Sequence, residues 1–461
     1  MVSSMDKTMT TVSLFTGAGG LDWGFHELGF KNVVALDKKS DAATTFHKNF
    51  GALIFRGPLL LREHYSVCDI LDSVVGESFP TPSVLIGGPP CQDFSVIREL
   101  GKREGTKTLR GKLYLHFARY LATLKPLSFV FENVPGLLSS NKGEDIRAIM
   151  EDFSDLKRLP ERWLRQHREE PSKTPPPPED LLEEHRRGGI PSYRIVFSGI
   201  VDASWHGVPQ RRRRLIIIGL RKDLEVGEGH VMAIREALGG SPALRKYPLT
   251  PLEAFEGATL PEITSVYREI VREWGGLFPG GDAIEDYFRL HKGHPKDPLF
   301  DRAMEEHEAL IGFLGWKGRS LSQMPPEFFP DGSHVLPKEK PSIISRMHRI
   351  PPGGNYATVR GTEHGVRGKG ISAIYRRLHP LLPSYTVLAH GGGGTWGYHY
   401  QRSRSKLTNR ERARLQSFPD SFQFCGGVSE VRSQIGEAVP PLLSLSIARV
   451  MRVVLEDVWV A

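Results

Sequence analysis

The chain has 461 residues, with 61 Lys+Arg against 53 Asp+Glu, a formal net charge of +8 and 39% hydrophobic residues. That length supports two or three domains of roughly 100–200 residues each, and the composition excludes fibrous, collagen-like and disordered chains. Three cysteines (Cys68, Cys91, Cys425) cannot build a disulfide framework and match no zinc-ligand spacing, which points to a reducing, cytoplasmic setting. In chain order, Thr11 to Phe15 reads as a strand, followed by a Gly-rich turn and a helix to about Leu28. Asn32 to Asp37 is a second strand and Ser40 to Asn49 a helix. Ser83 to Ile86 and Ser128 to Glu132 are further strands, with the helix Tyr114 to Leu124 between them. This alternation predicts an α/β domain with a parallel sheet covered by helices.

Ile146 to Arg187 is charged and contains Thr174-Pro175-Pro176-Pro177-Pro178. Four consecutive prolines fit neither a helix nor a central strand, so this stretch is expected to be a surface insertion or linker. Ile195 to Val201 and Leu215 to Leu220 resume strand character, and both are far too short to span a membrane. Met1 to Thr10 lacks the apolar core of a secretory signal. After Glu225 the pattern is irregular, rich in Gly and Pro, with a glycine tetrad at Gly391 to Gly394. Regular helical spacing returns at Arg410 to Gln416 and Pro440 to Val453. The expected organisation is a large domain formed by 1–224 and 406–461, with a smaller domain, 225–405, inserted before its closing part.

Several clusters carry chemistry. Phe15-Thr16-Gly17-Ala18-Gly19-Gly20 follows the first strand and opens the first helix, where glycines let a ligand approach the backbone. The dinucleotide spacing G-x-G-x-x-G fails at Asp22, which disfavours a nicotinamide oxidoreductase. Asp37 ends the second strand, at the distance expected of a ribose-hydroxyl acceptor. Together they suggest a nucleoside cofactor without a pyrophosphate, against the plainer reading of a tight βα turn. Cys91 sits in Gly87-Gly88-Pro89-Pro90-Cys91-Gln92, on a stiff loop at the sheet edge where thiols act as nucleophiles; a buried, inert thiol is the alternative. Glu132 ends an apolar strand at the same edge; taken alone it reads as a cap of the next turn, but beside a nucleophilic Cys a partly buried carboxyl with a raised pKa is the expected proton donor. In Gln210-Arg211-Arg212-Arg213-Arg214, alternation puts Gln210, Arg212 and Arg214 on one face, suited to gripping a polar ring or phosphate, with Arg211 and Arg213 solvated.

In this order the motifs resemble the cytosine-C5 DNA methyltransferase family of bacterial restriction–modification systems. Phe15 to Gly20 resembles its first cofactor motif, Pro89-Pro90-Cys91-Gln92 its nucleophile loop, Glu132-Asn133-Val134 its ENV motif and Gln210-x-Arg212-x-Arg214 its QxRxR motif. Arg410 to Asp420 is similar to its late helix motif and Gly436-Glu437-Ala438-Val439-Pro440-Pro441 to its closing GNxVPP motif, with Glu437 in place of Asn. The chain also has Asp37-Lys38 where the family often has Glu followed by an aromatic, and Cys68-Asp69-Ile70 where Gly-Asp-Ile is common. The resemblance covers about Thr11 to Arg221 and Leu407 to the C-terminus.

The resemblance implies a Rossmann-like S-adenosyl-L-methionine-dependent methyltransferase sheet with an inserted target-recognition domain. It implies catalytic roles for Cys91, Glu132, Arg212 and Arg214, and cofactor contacts from Phe15, Gly17, Gly19, Gly20, Asp37, Asp69, Ile70, Pro89, Leu113 and Val439, with no metal. Cys91 would add to C6 of a flipped cytosine, Glu132 would act at N3, and Arg212 and Arg214 would hold the base O2 and the loop. The implied partner is double-stranded DNA, met by a monomer in a prokaryotic cytoplasm, not at a membrane, with a cognate restriction endonuclease in the same system. A tRNA cytosine-C5 methyltransferase of the same family is an alternative, as is an inactive DNA-binding relative; the long variable region favours DNA. From Pro341 to Arg414 there are thirteen Lys and Arg against two acidic residues, an excess expected to face a phosphate backbone, with Arg376 and Arg377 named as contacts.

Overall fold

The computed structural model describes residues 8–51, 81–90, 113–169, 171, 176–239, 247–291, 299–365, 374–390 and 393–460. The chain divides into two compact units. One comprises Met1–Asp202, Arg213–Leu244 and Ser444–Ala461; the other comprises Ala203–Arg212 and Arg245–Leu443.

The first unit is built on a six-stranded sheet: β1 (Thr10–Leu14), β2 (Lys31–Leu36), β3 (Val84–Gly87), β4 (Ser128–Asn133), β5 (Tyr193–Asp202) and β6 (Arg213–Arg221), in the order β2-β1-β3-β4-β6-β5. β3 and β4 are buried throughout, as expected of central strands covered on both faces. β1 to β4 are mutually parallel, and β6 runs antiparallel to both β4 and β5. The reversal of β6 departs from the expected parallel sheet. Only the short stretch Ala203–Arg212 joins β5 to β6, whereas a parallel pair needs a crossover of a dozen residues or more.

The helices of this unit are α1 (Gly20–Glu27), α2 (Ser40–Phe50), α3 (Tyr114–Leu124), α4 (Glu144–Ser154), α5 (Leu159–Glu169), α6 (Glu179–Arg186) and α7 (Glu228–Gly239). α3 spans the limits read from the sequence and is buried along its whole length. The segment 146–187 is not a surface insertion: α4, α5, α6 and the turn Leu156–Arg158 pack Ile149, Phe153, Leu156, Leu159, Trp163 and Leu181 into the main core. The first five recur three or four residues apart, so one apolar face is buried while the charges occupy the other. Among the proline run, Pro178 is extended and leads into α6. Arg119 of α3 is fully buried and ion-paired with Asp180 of α6 at 2.7 Å, tying that helix down.

The second unit contains α8 (Pro251–Glu256), α9 (Thr264–Trp274), α10 (Ala283–His291), α11 (Leu299–Phe313), α12 (Pro341–Met347), α13 (Asn409–Leu415) and α14 (Val428–Glu437). It takes in α13 and α14, residues assigned from the sequence to the closing part of the large domain. Arginine side chains explain the attachment of α13. Arg414 donates to the carbonyls of Ala254 and Arg319 and pairs with Asp420, while Arg410 pairs with Asp331 and donates to the Ser333 hydroxyl. A final helix, α15 (Pro441–Val460), contributes Ser444 onward to the first unit. Among the described residues one helical stretch, Val428–Val458, has the length and apolarity to cross a membrane, but most of it is buried inside the protein, as in a core helix.

Candidate active site

Parallel register brings the C-terminal ends of β1 to β4 to one edge: Leu14 lies beside Leu36 and Gly87, and Gly87 beside Phe131. Loops leaving this edge are where open α/β sheets hold ligands.

The turn after β1 is strongly constrained. Phe15 (φ 57), Gly17 (φ 56) and Gly19 (φ 92) all have left-handed backbones, and Phe15 does so without being glycine. The Thr16 amide donates to the Leu36 carbonyl at 3.0 Å and the Gly19 amide to the Thr16 carbonyl at 3.0 Å. Asp37, half-buried at the end of β2, accepts from the amides of Gly17 at 2.9 Å and Lys39 at 2.8 Å. A Cβ on Gly19 would stand 2.3 Å from the Phe50 ring, whereas one on Gly17 would meet nothing within 4 Å. The outer side of the turn is therefore open beside a carboxylate that can accept a ribose hydroxyl. Gly20 begins α1, and Gly24 packs directly on the backbone of Ser444 and Leu445. These residues fit an adenosyl group.

At the neighbouring strand ends, Glu132 is ion-paired with Arg214 at 2.7 Å, and both side chains are largely buried. Register explains the pair. Glu132 lies opposite Ile216, so Arg214, two residues earlier on β6, projects from the same face as its diagonal neighbour. Because β6 is reversed, its first residues lie at the ligand edge instead of the far one. Gly88 completes the arrangement, since a Cβ there would be 2.6 Å from Glu132 Oε2. Asn133 Nδ2 donates to the Pro89 carbonyl at 3.3 Å, and Asn133 Oδ1 accepts from the Val134 amide. The ENV segment thus holds the start of the Pro89-Pro90 loop. Cys91, Asp69 and Ile70 lie outside the described residues. Leu113 immediately precedes α3.

The expected alternation holds along the Gln210 to Arg214 stretch: Gln210 and Arg212, which belong to the second unit, are buried, and Arg211 and Arg213 are exposed. Gln210 accepts from the Val387 amide at 2.8 Å and donates to the Gln416 side chain at 2.9 Å. Gln416 in turn donates to the Ile435 carbonyl. Arg212 donates to the carbonyls of Gly436 at 2.9 Å and Val387 at 3.4 Å. These side chains knit three backbone segments around the closing motif, in which Val439 is buried. A Cβ on Gly436 would stand 2.2 Å from the Ala389 amide nitrogen, which explains the glycine. Glu437, in the position of the family's usual Asn, is bonded to His390 at 3.1 Å.

Neither the partner of Glu132 nor the roles of Gly88 and Asn133 are expected from the sequence alone. Their signal was adjacency to Cys91 and Glu132, but their contacts cross between strands. One expectation is overturned. Arg377, Arg410, Arg412 and Arg414 do not face a phosphate backbone, because all four are buried. Arg377 donates to the carbonyls of Met347, His399 and Gln401, and Arg412 to those of Leu388 and Trp396. Arg376 is only partly buried and stacks over the exposed Tyr385 ring at 4.3 Å.

Comparison with known proteins agrees with this layout. The profile of the family described as C-5 cytosine-specific DNA methylase matches residues 9–157 and 334–452, more than half the chain. The chain belongs to that family. It is 42% identical to the DNA (cytosine-5-)-methyltransferase M.ApeKI of Aeropyrum pernix, over 97% of this chain and 99% of the relative. It is 30% identical to the Type II methyltransferase M.NgoFVII of Neisseria gonorrhoeae, over 99% and 90% of the two chains. The fold is shared with a prophage-encoded E. coli protein described as a DNA modification methyltransferase, at a TM-score of 0.54 and 20% identity, covering 97% of this chain and 100% of that one. The chain is accordingly an enzyme of DNA cytosine-C5 methylation with a Rossmann-like sheet.

Proposed function

We propose that the chain methylates one cytosine of a specific duplex sequence, with S-adenosylmethionine as donor, and that it protects DNA within a restriction–modification system of the prokaryotic cytoplasm. The observation that carries this reading is the Glu132–Arg214 pair, seated over Gly88 at the sheet edge where Pro89-Pro90 leads into Cys91. Cytosine C5 is a weak nucleophile, so electron density must be raised there first. The Cys91 thiolate adds to C6, Glu132 holds or supplies the proton at N3, and Arg214 fixes the Glu132 carboxylate and donates to the base O2. Arg212 acts at one remove by holding the backbone of the closing segment. Loss of the C5 proton after methylation expels the thiolate. Since C6 is covered in a duplex, the base must leave the stack.

When bound, S-adenosylmethionine supplies the methyl group. Asp37 would accept from its ribose beside the open side of the Phe15 to Gly20 turn; the family resemblance assigns the remaining contacts to Asp69, Ile70, Pro89, Leu113 and Val439. Residues 225–405 carry target recognition. Phosphate contacts there come from cations that remain outside the core, such as Arg376 and Arg349.

Bisulfite sequencing of DNA from cells expressing the chain tests the reading. The expected result is 5-methylcytosine at one short recurring sequence, absent with Cys91→Ala. Methylated tRNA with unmodified DNA would establish the RNA-modifying alternative instead.

A further inference from the structure

Asp22 stands where the G-x-G-x-x-G spacing calls for its third glycine, and nothing in the methyl-transfer chemistry uses it. Its side chain is wholly buried in the first turn of α1. Asp22 Oδ2 accepts from the Thr16 hydroxyl at 2.8 Å, and the Thr16 oxygen accepts from the Ser13 hydroxyl at 2.9 Å. The chain of hydroxyls therefore runs from β1, through the turn, to the start of α1 and ends on a carboxyl group. Burial pushes that carboxyl up to about 6, against the hydrogen bonds from Thr16 and Ser13. Hydrogen bonds relayed through a polarised hydroxyl reinforce one another and are stronger than isolated ones.

The turn needs such an anchor. Three of its five residues from Phe15 to Gly19 have left-handed backbones; Gly17 and Gly19 adopt them freely, but Phe15 does so only where surrounding contacts over-determine it. Thr16 is the residue between the strained Phe15 and the left-handed Gly17. Its amide is held by the Leu36 carbonyl, its carbonyl by the Gly19 amide and its hydroxyl by Asp22. Gly17 is held in turn by Asp37, the expected ribose acceptor.

We propose that Ser13, Thr16 and Asp22 form a buried positioning network that sets the cofactor turn, so that S-adenosylmethionine affinity depends on Asp22 although Asp22 does not touch the cofactor. This rests on the S-adenosylmethionine reading of the site. A dinucleotide fold uses glycine at this position for close helix–strand packing; here a carboxylate fills the space and bonds the turn from behind.

The test is equilibrium binding of S-adenosylmethionine and S-adenosylhomocysteine by calorimetry on the full chain, with thermal unfolding of the unliganded protein alongside. Thr16→Val keeps the side-chain shape and removes the hydroxyl; it should weaken both ligands by about tenfold. Thr16→Ser, which retains the hydroxyl, should restore near-wild-type binding. Asp22→Ala should weaken binding to the same extent, and the double variant Thr16→Val/Asp22→Ala should lose little more, because both act through one bond. If Asp22→Ala fails to fold, the two Thr16 variants decide the matter. Wild-type affinity in Thr16→Val, or equal losses in Thr16→Val and Thr16→Ser, would overturn the network. A wild-type chain that binds neither ligand would instead overturn the cofactor reading beneath it.

Discussion

Gly88 and Glu132 are 44 residues apart in sequence, yet the space that one leaves empty is the space the other's carboxylate fills. Gly88→Ala would place a methyl group 2.6 Å from Glu132 Oε2, too close for any real contact. The carboxylate must then shift from its observed place, and displacement of a reacting group by about 1 Å costs roughly 100-fold in rate. Methyl-transfer assays on Gly88→Ala should show kcat reduced by about that factor, with an unfolding curve close to wild type. An unchanged kcat would mean that the observed Glu132 position is not the reacting one. At this scale the sequence was informative about residue types. It singled out Glu132 and Arg214 separately, because a strand end and an alternating face are local properties. Their pairing was not legible, because it depends on which strands become neighbours.

Elements are held together by buried charge as well as by apolar faces. In the second unit, Glu253 of α8 lies 3.1 Å from His307 of α11, and both side chains are buried. His307 Nε2 lies 3.1 Å from the Tyr247 carbonyl, so both ring nitrogens face acceptors and the imidazolium form is favoured. Burial alone would push the Glu253 carboxyl up and the His307 ring down; their mutual attraction and hydrogen bonding reverse both, leaving Glu253 low and His307 high. The raised His307 contributes stability that is present below its ordinary value of 6.5 and lost as pH rises through its folded value. The lowered Glu253 contributes stability that is present above 4.5 and lost as pH falls through its own. The pair is therefore strongest from about pH 4.5 to 6.5. Denaturant unfolding of His307→Gln should show a deficit of about 3 kcal/mol in that window, narrowing at higher pH. A deficit independent of pH would mean that His307 is neutral throughout. The charged segment 146–187 teaches a related lesson. Its apolar stripe was present in the spacing from Ile149 to Trp163, but the charges around it masked a core-facing set of helices.

Across the whole molecule, the basic excess divides between surface and interior. Thirteen cations from Pro341 to Arg414 suggested a phosphate-facing stripe, but Arg377, Arg410, Arg412 and Arg414 hold backbone carbonyls inside the second unit. Planar guanidinium groups with five donors suit that role in a region short of regular strands. Arg376 and Arg377 therefore separate two effects. Arg376→Ala should reduce the slope of log affinity against log salt for duplex DNA by about 1, with the melting temperature unchanged. Arg377→Ala should lower the melting temperature, because it removes the guanidinium that bonds the buried carbonyls of His399 and Gln401. Equal changes in salt slope for the two variants would restore the phosphate-stripe reading.

By itself the sequence determined the order of the motifs, the apolar strands that carry them and the glycine-rich turn with Asp37 behind it. These depend on short-range periodicity and on residue chemistry at strand ends, which neighbouring residues specify. Only the tertiary structure decided the reversal of β6, the pairing of Arg214 with Glu132, the need for glycine at position 88 and the burial of four arginines. Each of these depends on which distant segment lies alongside. A positive charge at the surface and one bonded to buried carbonyls are written with the same letter; only packing separates them.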